Sequence, residues 1–203
     1  MKKLLSLLIV TLFVFSITFV GSTMYLPESI DDDMIENSIE VAKESETPED
    51  LIVDNGYRFD LGGSISGKGM GSVDVLTPRF DLLELAFKKA KKYKEPKEEE
   101  IKTILNDETF KLMSFLASED KPYEDDLHIV IKKQNEEIVQ PVDFNLQFVD
   151  YDMDSDLYFS YQVAVFNLDE LNSNNGQINE TIEVILISNL GEIKGKVDLS
   201  SVK

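Results

Sequence analysis

The hydrophobic pattern of residues 157–168 predicts the strand around which we expect the rest of the chain to be organised. Side chains alternate between the two faces of a strand, and aromatic and β-branched residues favour a pleated, buried surface. Both faces of this stretch are apolar, so we expect a central strand that is covered on each side. One face would carry Leu157, Phe159, Tyr161, Val163 and Val165, and the other Tyr158, Ser160, Gln162, Ala164, Phe166 and Leu168.

Shorter apolar or alternating runs, separated by turn residues, predict further strands before and after this stretch. Seven or eight strands with frequent turns are typical of a mainly β fold, and we predict an antiparallel immunoglobulin-like β-sandwich. The sequence lacks the strand–helix–strand alternation of a parallel sheet. Pro141 indicates a bulge or a sheet edge, because proline donates no backbone hydrogen bond. The candidate runs beside residues 157–168, including the short candidates 51–53 and 57–61, are residues 51–53, 57–61, 72–76, 110–117, 128–132, 138–149, 182–187 and 193–199.

Two predicted helices interrupt the strand pattern as an insertion. Thr77 is a favoured N-cap residue and Pro78 suits the first helical position, so we predict a helix over about residues 78–94. Pro96 would end it. Acidic residues in the first turn favour a second helix over about residues 97–105.

The N-terminus has the pattern of an export signal, because two lysines precede a long apolar run. Residues 1–22 would form a signal peptide that is cleaved after Ser22. Alternatively, residues 4–26 would form an uncleaved anchor that is long enough to cross a bilayer, with the lysines on the cytoplasmic side. Both alternatives predict that the remainder lies outside the cytoplasm, either secreted or anchored to the cell membrane.

The segment 23–50 is acidic and contains few apolar residues, so we predict a disordered spacer. The alternative is a short helix that is capped by Ser29 and uses Ile30, Met34 and Ile35 as apolar contacts. The β-sandwich domain would then occupy residues 51–203.

The charge of the chain excludes several classes of partner. The sequence contains 39 acidic residues against 20 lysines and arginines, which gives a formal net charge of −19. Nucleic-acid phosphates and anionic lipid headgroups repel such a chain. We therefore expect no nucleic-acid partner, and membrane contact only through the N-terminal segment. The absence of cysteine excludes disulfides, thiolate metal sites, iron–sulfur clusters and a cysteine nucleophile.

Four aspartates alternate along a predicted loop between two strands, and such a loop could fold its carboxylates around Ca²⁺. The match to an EF-hand loop is incomplete, because Ser155 stands where glycine is needed and Tyr161 stands where a bidentate glutamate is needed. The alternative is an extended, solvated run that discourages strand pairing at a sheet edge. The candidate calcium ligands are Asp150, Asp152, Asp154 and Asp156.

Two other features approach catalytic or nucleotide-binding motifs without completing them. The glycine-rich segment 62–69 resembles a phosphate-binding loop, but Gly69 stands where Mg²⁺ binding needs a hydroxyl, so we predict a flexible loop. His128 is the single histidine and lies beside acidic residues, but no Gly-x-Ser-x-Gly nucleophile motif accompanies it. We interpret it as an ordinary residue at the start of a strand.

The sequence therefore favours a non-enzymatic, exported cell-envelope protein of bacterial type, whose β-sandwich serves binding, adhesion or surface association. Its partner would be another envelope protein or a surface polymer. One alternative is an exported, glycosidase-like hydrolase that uses carboxylates such as Asp152 or Asp154. Another is a structural module stabilised by Ca²⁺, the one cofactor that the sequence suggests.

Overall fold

The computed structural model describes most of the chain after residue 23. The predicted export segment, residues 1–22, and most of the glycine-rich segment lie outside the described residues. Within the described part, no helix is long and apolar enough to cross a membrane. The described residues are 24–26, 29–53, 57–62, 70–123, 126–171, 177–178 and 180–202.

The described residues are mainly β, with helices concentrated in the first half of the chain. The α-helices are α1 (Asp32–Glu44), α2 (Pro48–Val53), α3 (Pro78–Ala90) and α4 (Glu98–Leu105). The strands are β1 (Met24–Tyr25), β2 (Arg58–Asp60), β3 (Met70–Leu76), β4 (Thr109–Ser118), β5 (His128–Lys132), β6 (Ile138–Val139), β7 (Asp143–Asp152), β8 (Leu157–Asn167), β9 (Gln177–Ile178), β10 (Thr181–Ser188) and β11 (Gly191–Asp198).

Five antiparallel strands form the larger sheet, in the order β2-β3-β4-β8-β7. The ladder between β4 and β8 runs from Thr109 opposite Asn167 to Ser118 opposite Tyr158. The mainly β, antiparallel architecture and the strand predicted over residues 157–168 are thus confirmed. However, β8 lies next to the edge strand β7, and β4 is the middle strand of the sheet.

A four-stranded antiparallel sheet, in the order β11-β10-β5-β6, shares one hydrophobic core with the larger sheet. The larger sheet contributes Phe110 and Phe166, whose rings stack with their centroids 5.5 Å apart. The smaller sheet contributes buried residues such as Ile131 and Val184. A short pair of strands, β1 and β9, adds the buried Met24 to the same core.

The predicted strand over residues 138–149 is divided between the two sheets. Its first part is β6 in the smaller sheet, and its second part is β7 in the larger sheet. Pro141 lies between them, at the point where the chain leaves one sheet for the other. Pairing with β8 begins immediately afterwards, where Val142 N donates to Val165 O at 2.8 Å.

Helix α3 starts at Pro78 as predicted but ends at Ala90, four residues before the predicted end. Tyr93 has a φ of 55°, in the left-handed region that terminates helices. Lys94 N donates to Lys89 O at 3.0 Å, which satisfies a carbonyl of the last turn. The lysine-rich sequence continues the helical pattern, but this closing turn ends the helix.

The acidic segment 23–50 is not a disordered spacer, because α1 occupies most of its second half. Asp31 caps this helix, and its Oδ1 accepts a hydrogen bond from Met34 N at 2.9 Å. Helix α1 packs on α3 and buries Ser38 and Ala42, which lie four residues apart on one helical face. Small side chains let two helices approach closely. The acidic composition of the segment hid this helix, although Ile39 and Val41 also pack against the core.

Residues 51–53, predicted as a strand, instead form the end of helix α2. Thr47 and Asp50 cap this helix reciprocally: Thr47 N donates to Asp50 Oδ2 at 2.7 Å, and Asp50 N donates to Thr47 Oγ1 at 3.3 Å. Leu51 and Ile52 are buried in the shared core. Three consecutive apolar residues carry no periodicity, so the cap decides the local structure.

Replacement of Gly195 on β11 by alanine should destabilise the packing between the two sheets. A β-carbon there would lie 2.5 Å from Leu61 Cα and 2.8 Å from Leu61 O, and these backbone atoms cannot rotate away. We expect the free energy of unfolding, measured by urea denaturation, to fall by about 2 kcal/mol. Gly71→Ala is the matched control, because its β-carbon would meet only side-chain atoms, the nearest 3.1 Å away on Ile193. An equal loss in both variants would contradict this explanation.

Candidate functional site

The larger sheet has two unlike faces, which follow from the alternation of side chains along its strands. We call the face toward the shared core the inner face and the opposite one the outer face. On β4, Leu112 and Leu116 lie in the core, whereas Met113 and Phe115 are only partly buried on the outer face. The outer face is therefore covered less completely than the inner face.

Helix α3 covers one end of the outer face. Lys111 Nζ of β4 forms an ion pair with Asp81 Oδ2 of α3 at 2.7 Å. At this end, the β8 residues Val163 and Val165 are each only 8% exposed, and Leu82 of α3 is fully buried. The opposite end of the outer face has large apolar side chains that remain exposed.

This uncovered end carries a cluster of aromatic rings. Phe148 and Phe159 are 43% and 40% exposed. The Tyr161 ring lies between two others: its centroid is 5.2 Å from that of Phe148, in a stacked arrangement, and 5.0 Å from that of Phe115, edge to face. We call this cluster the aromatic face, and it comprises Met113, Phe115, Phe148, Phe159 and Tyr161.

The hydroxyl of Tyr161 forms a hydrogen bond within the aromatic face. It donates to Met113 Sδ at 2.7 Å. Burial raises the pKa of Tyr161, and the nearby carboxylates of Asp74 and Glu84 raise it further, so the phenol is neutral at neutral pH. Its partners in the cluster have no strong hydrogen-bonding group. The aromatic face therefore presents a predominantly hydrocarbon surface.

A buried ion pair supports the aromatic face from the β2–β3 side. Arg58 donates to both carboxylate oxygens of the fully buried Asp74, with Nε–Oδ1 at 2.7 Å and Nη2–Oδ2 at 2.8 Å. Arg58 also bonds Glu49, and its guanidinium carbon lies 5.7 Å from the Phe115 ring centroid. Burial raises the pKa of Asp74, and the guanidinium opposes that change by stabilising the carboxylate.

The four aspartates predicted as calcium ligands lie on β7 and the turn that follows it. Asp152 accepts hydrogen bonds from Ser155 Oγ at 2.6 Å and from Asp154 N at 3.2 Å, and the Ser155 and backbone bonds lower the pKa of Asp152. Asp156 accepts from the Tyr151 hydroxyl at 2.5 Å. Among the described residues, no three acidic or histidine side chains are grouped to hold a metal ion. The calcium assignment to Asp150, Asp152, Asp154 and Asp156 stays a prediction.

His128 lies beside a small cavity between the two sheets, which Ser114 and Ser160 also line. The cavity has a volume of about 10 Å³, which is room for about one water molecule. Gln162 Nε2 donates to Leu127 O at 2.7 Å beside it and so links the two sheets. The serines and the histidine are therefore near one another, but the space between the sheets is too small for a substrate.

A larger, open cavity of about 620 Å³ lies on the smaller sheet, with Lys132, Lys133 and Lys196 among its lining residues. Lys132 is paired with Glu136, and Lys133 Nζ lies 3.1 Å from Glu137 Oε2. The charges of these two lysines are already compensated. Glu136 and Glu183 also line the cavity, so its charge gives no particular advantage to an anionic ligand.

Comparisons with known proteins found no match for this chain among protein-family profiles, curated proteins or solved structures. The sequence did not predict the aromatic face as a site. The lengths of the elements could have indicated an uncovered region. Helix α3 has 13 residues and spans roughly 20 Å. Strand β8 has 11 residues and spans roughly 36 Å, so this helix cannot cover its full length.

Removal of the Arg58 guanidinium should destabilise the chain in a pH-dependent way. In Arg58→Met, the buried carboxylate of Asp74 loses its partner, and we expect the free energy of unfolding near pH 7 to fall by about 3 kcal/mol. An unpaired buried carboxyl has a higher pKa in the folded state than in the unfolded state. Folded protein then binds more protons, so the stability lost by the variant should shrink as the pH falls toward 5.

Urea denaturation across this pH range measures the effect, and Lys88→Met is the control. Lys88 pairs with Glu84 on the exposed surface of α3, so its loss should cost less than about 1 kcal/mol. A loss in Arg58→Met that is small, or that does not change with pH, would contradict the role given to Asp74.

Proposed function

We propose that this chain is a non-enzymatic, exported cell-envelope protein that binds another envelope component through the aromatic face. The export pattern at the N-terminus supports the location. The immunoglobulin-like β-sandwich predicted from the strand pattern is part of this proposal, and the core shared by the two sheets supports it. The aromatic face is the observation that carries the assignment to binding.

Exposed aromatic residues that adjoin one another differ from single exposed apolar residues, which are common on every protein surface. Burial of apolar surface stabilises a complex by roughly 25 cal/mol per Å² before the costs of association are subtracted. Aromatic residues are also enriched where interfaces concentrate their binding energy. The stacked rings of Phe148 and Tyr161, with the exposed Phe159 two residues from Tyr161 on the same face of β8, therefore favour a partner-binding surface.

The aromatic face is also supported by its surroundings. Its residues lie on the paired strands β4, β7 and β8, and Phe115 is flanked by the Arg58–Asp74 ion pair. A surface held in one arrangement loses little conformational entropy when a partner binds. The hydrolase alternative has less support, because Asp152 already accepts hydrogen bonds within its own exposed turn.

The double variant Phe148→Ser/Phe159→Ser should lose binding while it stays folded, because both side chains are already about two-fifths exposed. We expect the immobilised full chain to capture a partner from solubilised envelope fractions, and the double variant to retain at least tenfold less of it. The matched control is Tyr93→Ser/Tyr123→Ser, which removes two exposed rings outside the aromatic face and should capture normally. Circular dichroism melts verify that each variant is folded.

Equal capture by both double variants would contradict the assignment of this surface. Capture of nothing by the wild-type chain, together with a measurable hydrolase activity, would overturn the proposed function in favour of the enzymatic alternative.

The location is tested separately by cell fractionation and mass spectrometry of the mature N-terminus. We expect the protein in the envelope or the medium, either beginning after Ser22 or retaining the whole apolar segment as an anchor. Full-length protein found mainly in the cytoplasmic fraction would contradict the exported location.

A further inference from the structure

We propose that the occupant of the aromatic face is a basic, amphipathic segment of a partner protein, whose apolar side chains cover the rings while its lysines or arginines meet acidic residues beside them. This inference rests on the proposed binding function and adds the chemistry of the partner. It follows from where the carboxylates of the outer face lie.

Strand β7 places aromatic and acidic side chains side by side on the outer face. Phe148, Asp150 and Asp152 are alternate residues, so they share one face at a spacing of roughly 7 Å. In the pairing with β8, Phe148 lies opposite Tyr161, and Asp150 lies opposite Phe159. The last ring of the cluster therefore has a carboxylate as its direct cross-strand neighbour.

A second carboxylate lies at the far side of the same sheet. Asp60 on β2 is exposed and begins a row of cross-strand neighbours that continues through Ser72, Phe115 and Tyr161 to Phe148. The aromatic face is thus bounded by acids on both the β2 and the β7 sides. A partner that covers the rings must bring its flanking groups close to negative charge.

Among the described residues, the two cations on the strands of the larger sheet do not neutralise these acids. Arg58 is already bonded to Asp74 and Glu49, and Lys111 is bonded to Asp81. Asp150 Oδ1 accepts from Tyr151 N at 2.8 Å, which orients the carboxylate and leaves its second oxygen available. Charge complementarity therefore favours a cationic partner.

Charge also discriminates against other apolar occupants. A second copy of the chain carries the same net charge of −19, and two like-charged surfaces repel. A glycan would stack on the rings, but it also needs hydrogen-bonding groups. The aromatic face offers few of them, since the Tyr161 hydroxyl is bonded to Met113. A basic polypeptide fits both the hydrocarbon surface and its acidic boundary.

Docking on the face is also favoured over addition of a strand to the edge of β7. Two amides of this strand are bonded to aspartate side chains: Phe144 N donates to Asp143 Oδ1, and Tyr151 N donates to Asp150 Oδ1, both at 2.8 Å. The strand also has a bulge between Phe144 and Leu146. These features oppose a continuous new ladder along the edge.

Three synthetic peptides of equal length test the proposal, with the same leucine and phenylalanine positions and with lysine, glutamine or glutamate at the remaining ones. Binding to the full chain in nanodiscs of zwitterionic lipid is measured by fluorescence anisotropy, and empty nanodiscs provide the blank. We expect the lysine peptide to bind at least 100-fold more tightly than the glutamate peptide, with the glutamine peptide between them. Added salt should weaken the lysine peptide most.

Substitution Asp150→Asn/Asp152→Asn should weaken the lysine peptide at least tenfold and reduce its salt dependence. The matched control Glu36→Gln/Glu40→Gln removes the same charge from the exposed surface of α1 and should bind within twofold of wild type. Phe148→Ser/Phe159→Ser should also lose at least tenfold. Equal weakening by both acid variants would indicate non-specific attraction to the net charge and would overturn the proposal.

The proposal and the function on which it rests fail in different ways. The wild-type chain could capture a partner through Phe148 and Phe159 whose binding does not change with salt or with Asp150→Asn/Asp152→Asn. In that case the binding function stands and the proposed cationic chemistry of the partner is wrong. Binding of a neutral oligosaccharide fragment that depends on the rings would also overturn the cationic partner. If the wild-type chain captures nothing at all, the binding function itself fails.

Discussion

The structure depends on the register between β4 and β8, because this ladder decides which side chains face the core. Phe110 and Phe166 are direct neighbours in it, and their rings stack in the centre of the molecule. A slip of β8 by one residue against β4 would move Phe166 to the outer face and would turn Tyr161 toward the core. The inner face and the aromatic face are therefore two consequences of one pairing.

The two faces of the β4–β8 ladder are covered to different extents. The inner face meets a four-stranded sheet, whereas the outer face meets α3, which is shorter than the strands beneath it. The uncovered length is where Phe148 and Phe159 are exposed. The Arg58–Asp74 ion pair lies between the part of the outer face that α3 covers and the part that is exposed. There it buries a charge and compensates it. The uncovered part of the outer face is apolar, and this ion pair supports it from the side.

The sequence predicted features that depend on local pattern and missed those that depend on distant contacts. The strands over residues 128–132 and 157–168 follow from alternation, which any sheet with a buried face requires. Helix α1 was predicted only as a short alternative, because Ser38 and Ala42 become a contact face only when α3 lies against them. The aromatic face was missed for a similar reason: Phe115 joins it from a different part of the chain, and only the register of three strands brings its members together.

The aspartates of β7 acquire two physical roles from their position on an edge strand. Asp143 and Asp150 bond the amides of the residues that follow them, which reduces the capacity of the edge to pair with another strand. The same Asp150, together with Asp152, lies on the face that carries Phe148 and places negative charge beside the rings. An apolar surface next to an open strand edge would otherwise favour aggregation. Acidic residues here oppose that association, and by the same charge they favour a basic partner.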